Sequence, residues 1–302
     1  MPARRFVVRP EDSGQRLDRW VALQAGLGRR KARELCDGGF VTLDGRRGRA
    51  AEVTAAGAVV ELEVFSDRAL PDPNATLDVR FETNAVVVVH KPAGLPTAPL
   101  RPGELGTLAN ALVARYPEMA SLGKRLREPG LVHRLDTQTS GLVVACRTPE
   151  AFLRLDRALS NGKLEKRYLA IAETTSLADE GTIDSALAPD PRRRGRVVTA
   201  EAARSRYARS SHTRYRIVER RGSLVLIELG MQRGFRHQIR AHLAALGAPL
   251  VGDRLYGGRP WPEHPERHAL HASYVAWAGD GTLAGFEVEA DMPLDMRELF
   301  GR

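Results

Sequence analysis

The chain has 302 residues, 43% of them apolar and 27% charged, with a net charge of +9: enough for about two domains with a sizeable core, and not a disordered tail. No apolar run approaches the roughly 20 residues of a membrane helix, and the stretch Phe6 to Val8 is too short for a secretory signal core. Cys36 and Cys146 lie far apart, which argues against a disulfide scaffold or zinc–thiolate site and points to a soluble protein of a reducing compartment, the cytoplasm.

The basic excess points to an anionic partner, although charge alone supports only non-specific attraction. Lysine is confined to Lys31, Lys91, Lys124, Lys163 and Lys166, and arginine supplies the rest. A codon bias explains much of that imbalance; guanidinium groups also suit phosphate forks and base stacking.

Residues 14–65 read as a small unit of helices and strands. Asp12 to Gly14 offer caps for a helix over 16–25, with Leu17, Trp20 and Val21 on one face. A second helix over 29–36 carries Arg29, Arg30, Lys31 and Arg33 and ends at Gly38-Gly39. Strands follow over 40–43, turned by Asp44-Gly45, and over 59–65. Residues 66–76 hold Pro71, Pro73 and Asn74 without apolar periodicity and read as a linker.

From residue 77 to 302 the pattern changes. Strands are expected over 77–82, 85–90, 142–146, 167–173, 213–219, 223–229, 268–275 and 286–290. Helices are expected near 107–116, over 149–159 behind the Thr148 cap and Pro149, and over 236–246; residues 115–130 read as a loop. Helices are too few for repeated βαβ units, so the fold class is α+β, with a mixed, mostly antiparallel central sheet and flanking helices.

Five stretches carry candidate chemistry. The first runs from Gly130 through His133, Arg134, Asp136, Thr137, Thr139 and Ser140 to Leu142, a polar loop emptying into a buried strand. Asp136 is its natural nucleophile or base, although an aspartate there can equally cap a turn. The second is residues 234–243, where Arg236 and Arg240, four apart, would share a helix face and reach a carboxylate or phosphate, or form a solvated basic face. The others are Lys166-Arg167-Tyr168, the stiff turn Lys91-Pro92-Ala93-Gly94, and the loop 252–257 with Asp253 and Tyr256. Taken singly, each of these three reads as ordinary packing or a turn.

Taken together, over residues 77–277, the five stretches resemble the RluA-type RNA pseudouridine synthases. His133-Arg134-Leu135-Asp136, with Thr139-Ser140-Gly141 behind it, is a highly specific signature; His237-Gln238-Ile239-Arg240, Gly252-Asp253, Tyr256-Gly257 and Leu270-His271-Ala272 follow in the matching order. Residues 16–62 resemble, more weakly, the alpha-L RNA-binding module. The resemblance implies the pseudouridine synthase fold and isomerisation of uridine to pseudouridine in structured RNA, without a cofactor or metal. It implies Asp136 as the carboxylate beside the sugar, by attack or by proton removal, Arg240 as its ion-pair partner, and Tyr168 as the ring stacked on the target base. Arg134 would fill the place of the extruded base; Arg29, Arg30, Lys31, Arg33, Arg236, His237 and Gln238 would contact RNA. The alpha-L module tilts the substrate towards large-subunit ribosomal RNA, ahead of transfer RNA, with the protein acting as a monomer.

Two positions depart from the family pattern: Thr137, where a basic residue is usual, and Phe235, where arginine is usual. They bear on substrate choice more than on chemistry. Two rival readings remain from the residues: a non-catalytic RNA-folding factor, and a metal hydrolase using His133, Asp136, His237, His242, His268 and His271. The second lacks any His-Glu-x-x-His spacing, and packing histidines are the simpler expectation.

Overall fold

The computed structural model describes residues 3–63 and 67–301. The first unit is an antiparallel sheet of β1 (Ala3–Val7), β2 (Val41–Leu43), β3 (Arg46–Arg47) and β4 (Val59–Glu63), in the order β1-β4-β2-β3. Helices α1 (Leu17–Ala25) and α2 (Arg29–Gly38) cover it, and Leu17, Trp20, Leu35, Val41 and Val60 fill the space between. Strand β1 lies ahead of the expected start at residue 14. It is an edge strand exposed along nearly all its length, so it has no alternation to read. The last residues of the strand expected over 59–65 lie outside the described residues.

Residues 67–76, within the expected linker, touch the second unit at a few points. Ala69 is buried in the core of the second unit, and Asn110 donates to the Leu70 carbonyl. Asp67 accepts from Lys31 of α2 at 2.5 Å and from the Arg127 guanidinium at 2.6 Å. One carboxylate thus ties the first unit's basic helix to the second unit.

The second unit is built on nine strands among the described residues: β5 (Asp78–Glu82), β6 (Val86–Lys91), β7 (Ser140–Cys146), β8 (Glu165–Glu173), β9 (Glu180–Asp184), β12 (His212–Arg221), β13 (Leu224–Gly230), β14 (Leu270–Gly279) and β15 (Ala284–Glu289). A separate ribbon pairs β10 (Leu187–Pro189) with β11 (Val197–Thr199). The large sheet runs β5-β6-β7-β14-β8-β13-β12-β9, with β15 also on β14. Every pairing is antiparallel except β7 with β14. This is the α+β arrangement with a mainly antiparallel sheet expected above.

Both faces of the sheet are covered, which explains why the four consecutive valines of β6 are all buried. Val87 and Val89 pack under α3 (Leu108–Arg115) and α6 (Gln238–Ala245); Val86 and Val88 pack under α4 (Pro149–Ser160). A short α5 (Ala200–Ala203) follows β11, and α7 (Leu294–Gly301) closes the far side with Met296, Leu299 and Phe300.

The sheet is joined across its middle by the short parallel seam of Ser140 with His271 and Gly141 with Ala272. Gly141 has φ +115°, and a Cβ there would lie 2.2 Å from the Ala272 carbonyl oxygen, so only glycine lets the strands meet. Because β7 and β14 run in parallel, the loops that feed them arrive at the same end of the sheet.

Candidate active site

Those loops build a cleft of about 1150 Å³, lined by residues from 96 to 268. The loop before β7 carries Asp136, whose carboxylate is 28% exposed to the cleft. Nearly every atom around Asp136 is fixed. The Leu135 carbonyl accepts from the Thr97 hydroxyl at 2.6 Å. The Thr137 carbonyl accepts from Lys91 Nζ at 3.0 Å and from the Gly94 amide at 2.9 Å. Arg267, 4% exposed, donates to the Gln138 carbonyl and the Ser140 hydroxyl, and is neutralised by Asp295 at 3.0 Å. Thr139 and Ser140 bond His268 and His271 at 2.8 and 2.9 Å.

Opposite the loop stands Arg240 of α6, 8% exposed. Its Nη1 donates to Asp136 at 2.8 Å, while Nε and Nη2 form a fork on Asp253 at 2.7 and 2.9 Å. Its guanidinium lies over the Tyr256 ring, 5.2 Å from the centroid. The Asp253 loop crosses close over the strand β14 approach: a Cβ on Gly252, at φ +80°, would fall 2.0 Å from the Arg267 carbonyl oxygen. Two carboxylates therefore share one cation, and Asp253 aims the guanidinium at Asp136.

Burial pushes the Asp136 carboxyl up, but His237, Arg240 and His268 more than offset it and hold it below its ordinary value. Burial also drives the His237 ring down to about 4, so that ring is neutral near pH 7 and the guanidinium is the standing counter-charge. For Arg240 itself burial works against the charge, but Asp253 and Asp136 outweigh it and raise its value. The Tyr168 ring, 3% exposed, forms part of the floor beside Asp136. Burial and then the Asp136 charge raise its hydroxyl, which stays protonated. An ionised carboxylate, a fixed cation and a neutral phenol thus face one cavity.

The expected helix over 236–246 starts two residues later. His237 sits in the left-handed region at φ 53°, and the Phe235 amide donates to the Gln238 side chain at 2.9 Å, closing a turn before the helix. Arg236 is therefore on that turn, exposed at the cleft rim, and does not share a helical face with Arg240. His237 keeps its place at the cleft wall, with Nε2 3.7 Å from Asp136 and Nδ1 on the Tyr256 hydroxyl at 3.2 Å. Gln238 is 2% exposed, and its amide bonds the His212 carbonyl and the Thr213 hydroxyl.

The other expected RNA contacts are spread out. Arg134 lies at the cleft mouth, 53% exposed and paired with Glu128 at 2.8 Å. Arg29 and Arg30 are exposed on α2; Arg30 and Arg33 pair along the helix with Glu34 and Asp37. Lys31 is engaged by Asp67 at 2.5 Å. Thr137 serves through its carbonyl, and Phe235 lies under the Arg209 guanidinium, 5.6 Å away. The histidines are hydrogen-bonded within the protein: His133 accepts from the Val144 amide, and His242 bonds Thr213. Residue-level reading missed Asp253, Lys91 and Arg267 as supports of the site. Asp253 and Lys91 stood in the quoted motifs, but nothing local marks them as partners of Arg240 and the Asp136 loop.

The profile of the RNA pseudouridylate synthase family matches residues 85–245, which hold Asp136, Tyr168 and Arg240. An uncharacterized RNA pseudouridine synthase of Chloroflexus aurantiacus is 36% identical over 300 residues, covering 96% of this chain and 90% of its own. The ribosomal large subunit pseudouridine synthase D of Xylella fastidiosa is 35% identical, over 95% and 88% of the two chains. Among solved structures, human RNA pseudouridylate synthase domain containing 1 shares the fold, with TM-score 0.57, 24% identity, and coverage of 76% and 86%. On sequence relatives and fold alike, the chain belongs to the RNA pseudouridylate synthase family and is an RNA pseudouridine synthase.

Proposed function

We propose that the protein converts a uridine of large-subunit ribosomal RNA to pseudouridine, with Asp136, Tyr168 and Arg240 as the residues that act on it. The observation that carries this reading is the Asp136 carboxylate, ionised by a buried guanidinium, at the floor of a cleft large enough for a nucleotide. Several relatives are named ribosomal large subunit pseudouridine synthase D, which favours ribosomal over transfer RNA. The protein would work in the cytoplasm, where that RNA is made.

The reaction leaves the composition of the nucleotide unchanged. The N1 glycosidic bond breaks, C5 joins the sugar, C5 loses a proton and N1 gains one, with no net transfer of electrons. A base within a stack cannot present its sugar carbon to the cleft floor, so the uridine turns out of the RNA. The Tyr168 ring packs the base, and Asp136 meets the sugar, by attack on C1′ or by removing a sugar proton. Either route starts from an ionised carboxylate, which Arg240 maintains at the cleft floor. Exposed Arg125, Arg193, Arg209, Arg236 and Arg254 around the cleft supply attraction for the phosphate backbone.

The test is pseudouridine mapping of total RNA from cells with and without the gene, paired with purified enzyme on a large-subunit transcript. A missing ribosomal position, restored by wild type and not by Asp136→Asn, is expected. Restoration by Asp136→Asn, or a change confined to transfer RNA, overturns the reading.

A further inference from the structure

Four cationic side chains are buried among the described residues: Lys91, Lys166, Arg240 and Arg267. Three are fully engaged. Lys91 donates to three carbonyls, those of Pro92, Leu95 and Thr137; Arg240 holds two carboxylates; Arg267 holds Asp295 and backbone carbonyls. Lys166 is different. It is 4% exposed, yet among the described residues its ammonium has neither a hydrogen-bond acceptor nor a carboxylate. Burial alone pulls its value down to about 8, with no neighbouring charge to restore it.

The ammonium lies in the wall of the cleft, not in the sheet core. Gly234 lies across from it: a Cβ placed there would be 3.8 Å from Nζ. Among the cleft's carboxylates, Asp156 is held by Lys124 at 2.6 Å, Glu128 by Arg134 at 2.8 Å, and Asp136 and Asp253 by Arg240. His133 beside the ammonium is pushed down to about 3, by burial first and then by Lys166, so it is neutral and offers no counter-charge. Lys166 precedes Tyr168 by two residues on β8, so both side chains leave the same face of the strand, about 7 Å apart along it.

In the free protein only the water of the cleft can solvate this ammonium, and a ligand that displaces that water has to bring the opposite charge. We propose that Lys166 receives a backbone phosphate of the RNA, next to the uridine whose base packs on Tyr168. A phosphate carries the full charge the ammonium lacks, whereas a uracil carbonyl offers only a dipole. The spacing along β8 matches a nucleotide laid with its base on Tyr168 and its backbone towards Gly234. The identity of the anion rests on the RNA synthase reading above; the unpartnered ammonium does not.

The experiment measures binding of a large-subunit ribosomal RNA transcript to the Asp136→Asn protein, with Lys166 intact, as Lys166→Met and as Lys166→Arg. Salt is varied between about 50 and 200 mM, and the melting temperature of each free protein is recorded. Lys166→Met is expected to weaken binding about tenfold and to flatten the dependence of log affinity on log salt by about 0.7–0.9. Its melting temperature stays level or rises, because an unpaired buried charge has gone. Lys166→Arg keeps the salt slope. An unchanged affinity and slope in Lys166→Met overturns the proposal, even where turnover falls. Weaker binding with a lower melting temperature, not restored by arginine, assigns Lys166 to packing and also overturns it. Pseudouridine formation is read separately with Asp136 in place: a wild type that makes no product while the slope still responds to Lys166 sinks the enzymatic reading and leaves the phosphate contact standing.

Discussion

Replacing Arg240 by methionine removes the one guanidinium bonded to Asp136 and Asp253 among the described residues, and with it three charge-assisted hydrogen bonds of 2.7–2.9 Å. Asp253 then keeps a carboxylate 1% exposed without a cation, and Asp136 keeps one 28% exposed. Breaking a buried pair by removing one partner costs about 3–5 kcal/mol. For a domain of this size that is a fall in melting temperature of roughly 6–20 °C. The structure makes a sharper forecast for the double variant Arg240→Met with Asp253→Asn. Deleting the more deeply buried of the two orphaned charges should recover part of the lost stability, with a coupling of about 0.5–3 kcal/mol. Activity should not recover, because Asp136 still lacks its counter-charge. Urea unfolding of the wild type, both single variants and the double variant reads the cycle, and pseudouridine formation reads the rate. Losses in stability that simply add in the double variant would refute the shared-cation account.

Further outcomes follow from the same contacts. Arg267→Met should lower the turnover of bound RNA more than its affinity, because Arg267 holds the Gln138 carbonyl and Ser140 hydroxyl of the Asp136 loop and lies outside the wet cleft; single-turnover kinetics separate the two effects. His133 and His268 are pushed down to about 3 and His237 and His271 to about 4, chiefly by burial, so the unfolded chain binds these protons more readily than the folded one. Stability should therefore fall as pH drops from about 6.5 towards 4, and His268→Gln should flatten that fall in urea titrations at several pH values. The Asp136 carboxyl, held low in the folded state, contributes stability above about pH 4 and loses it as the pH falls through its folded value, so the rate should show no acid limb between about pH 7 and 5. Burial pushes the Cys36 and Cys146 thiols up to about 12, so neither should react with a thiol reagent near pH 8 until the protein is unfolded.

Periodicity was a good guide wherever a face of an element is buried. The valines of β6 and the Thr148-Pro149 start of α4 were legible because burial and capping leave local marks. Strand β1, the Asp184-containing β9 and the ribbon of β10 and β11 were not, since exposed edges and short pairings impose no pattern. The helix start at Gln238 has no local mark either: it follows a left-handed His237, whose ring bonds the Tyr256 hydroxyl from 19 positions away. Within the site, Asp136, Tyr168 and Arg240 stood out only as a set, through a family resemblance. Asp253, Lys91 and Arg267 act through partners 13 to 129 positions away, a relation that spacing along a chain does not display.

The parallel seam between Ser140 and His271 has a consequence for how this enzyme is born. Its two halves are separated by about 130 positions, and the β14 strand that clamps the Asp136 loop is translated long after that loop. A nascent chain that ends before residue 270 still lacks the β14 seam and the His271 bond to Ser140, so the strand that leaves the Asp136 loop has no parallel neighbour. The site is therefore completed late, when the most sequence-distant of its strands is laid beside β7.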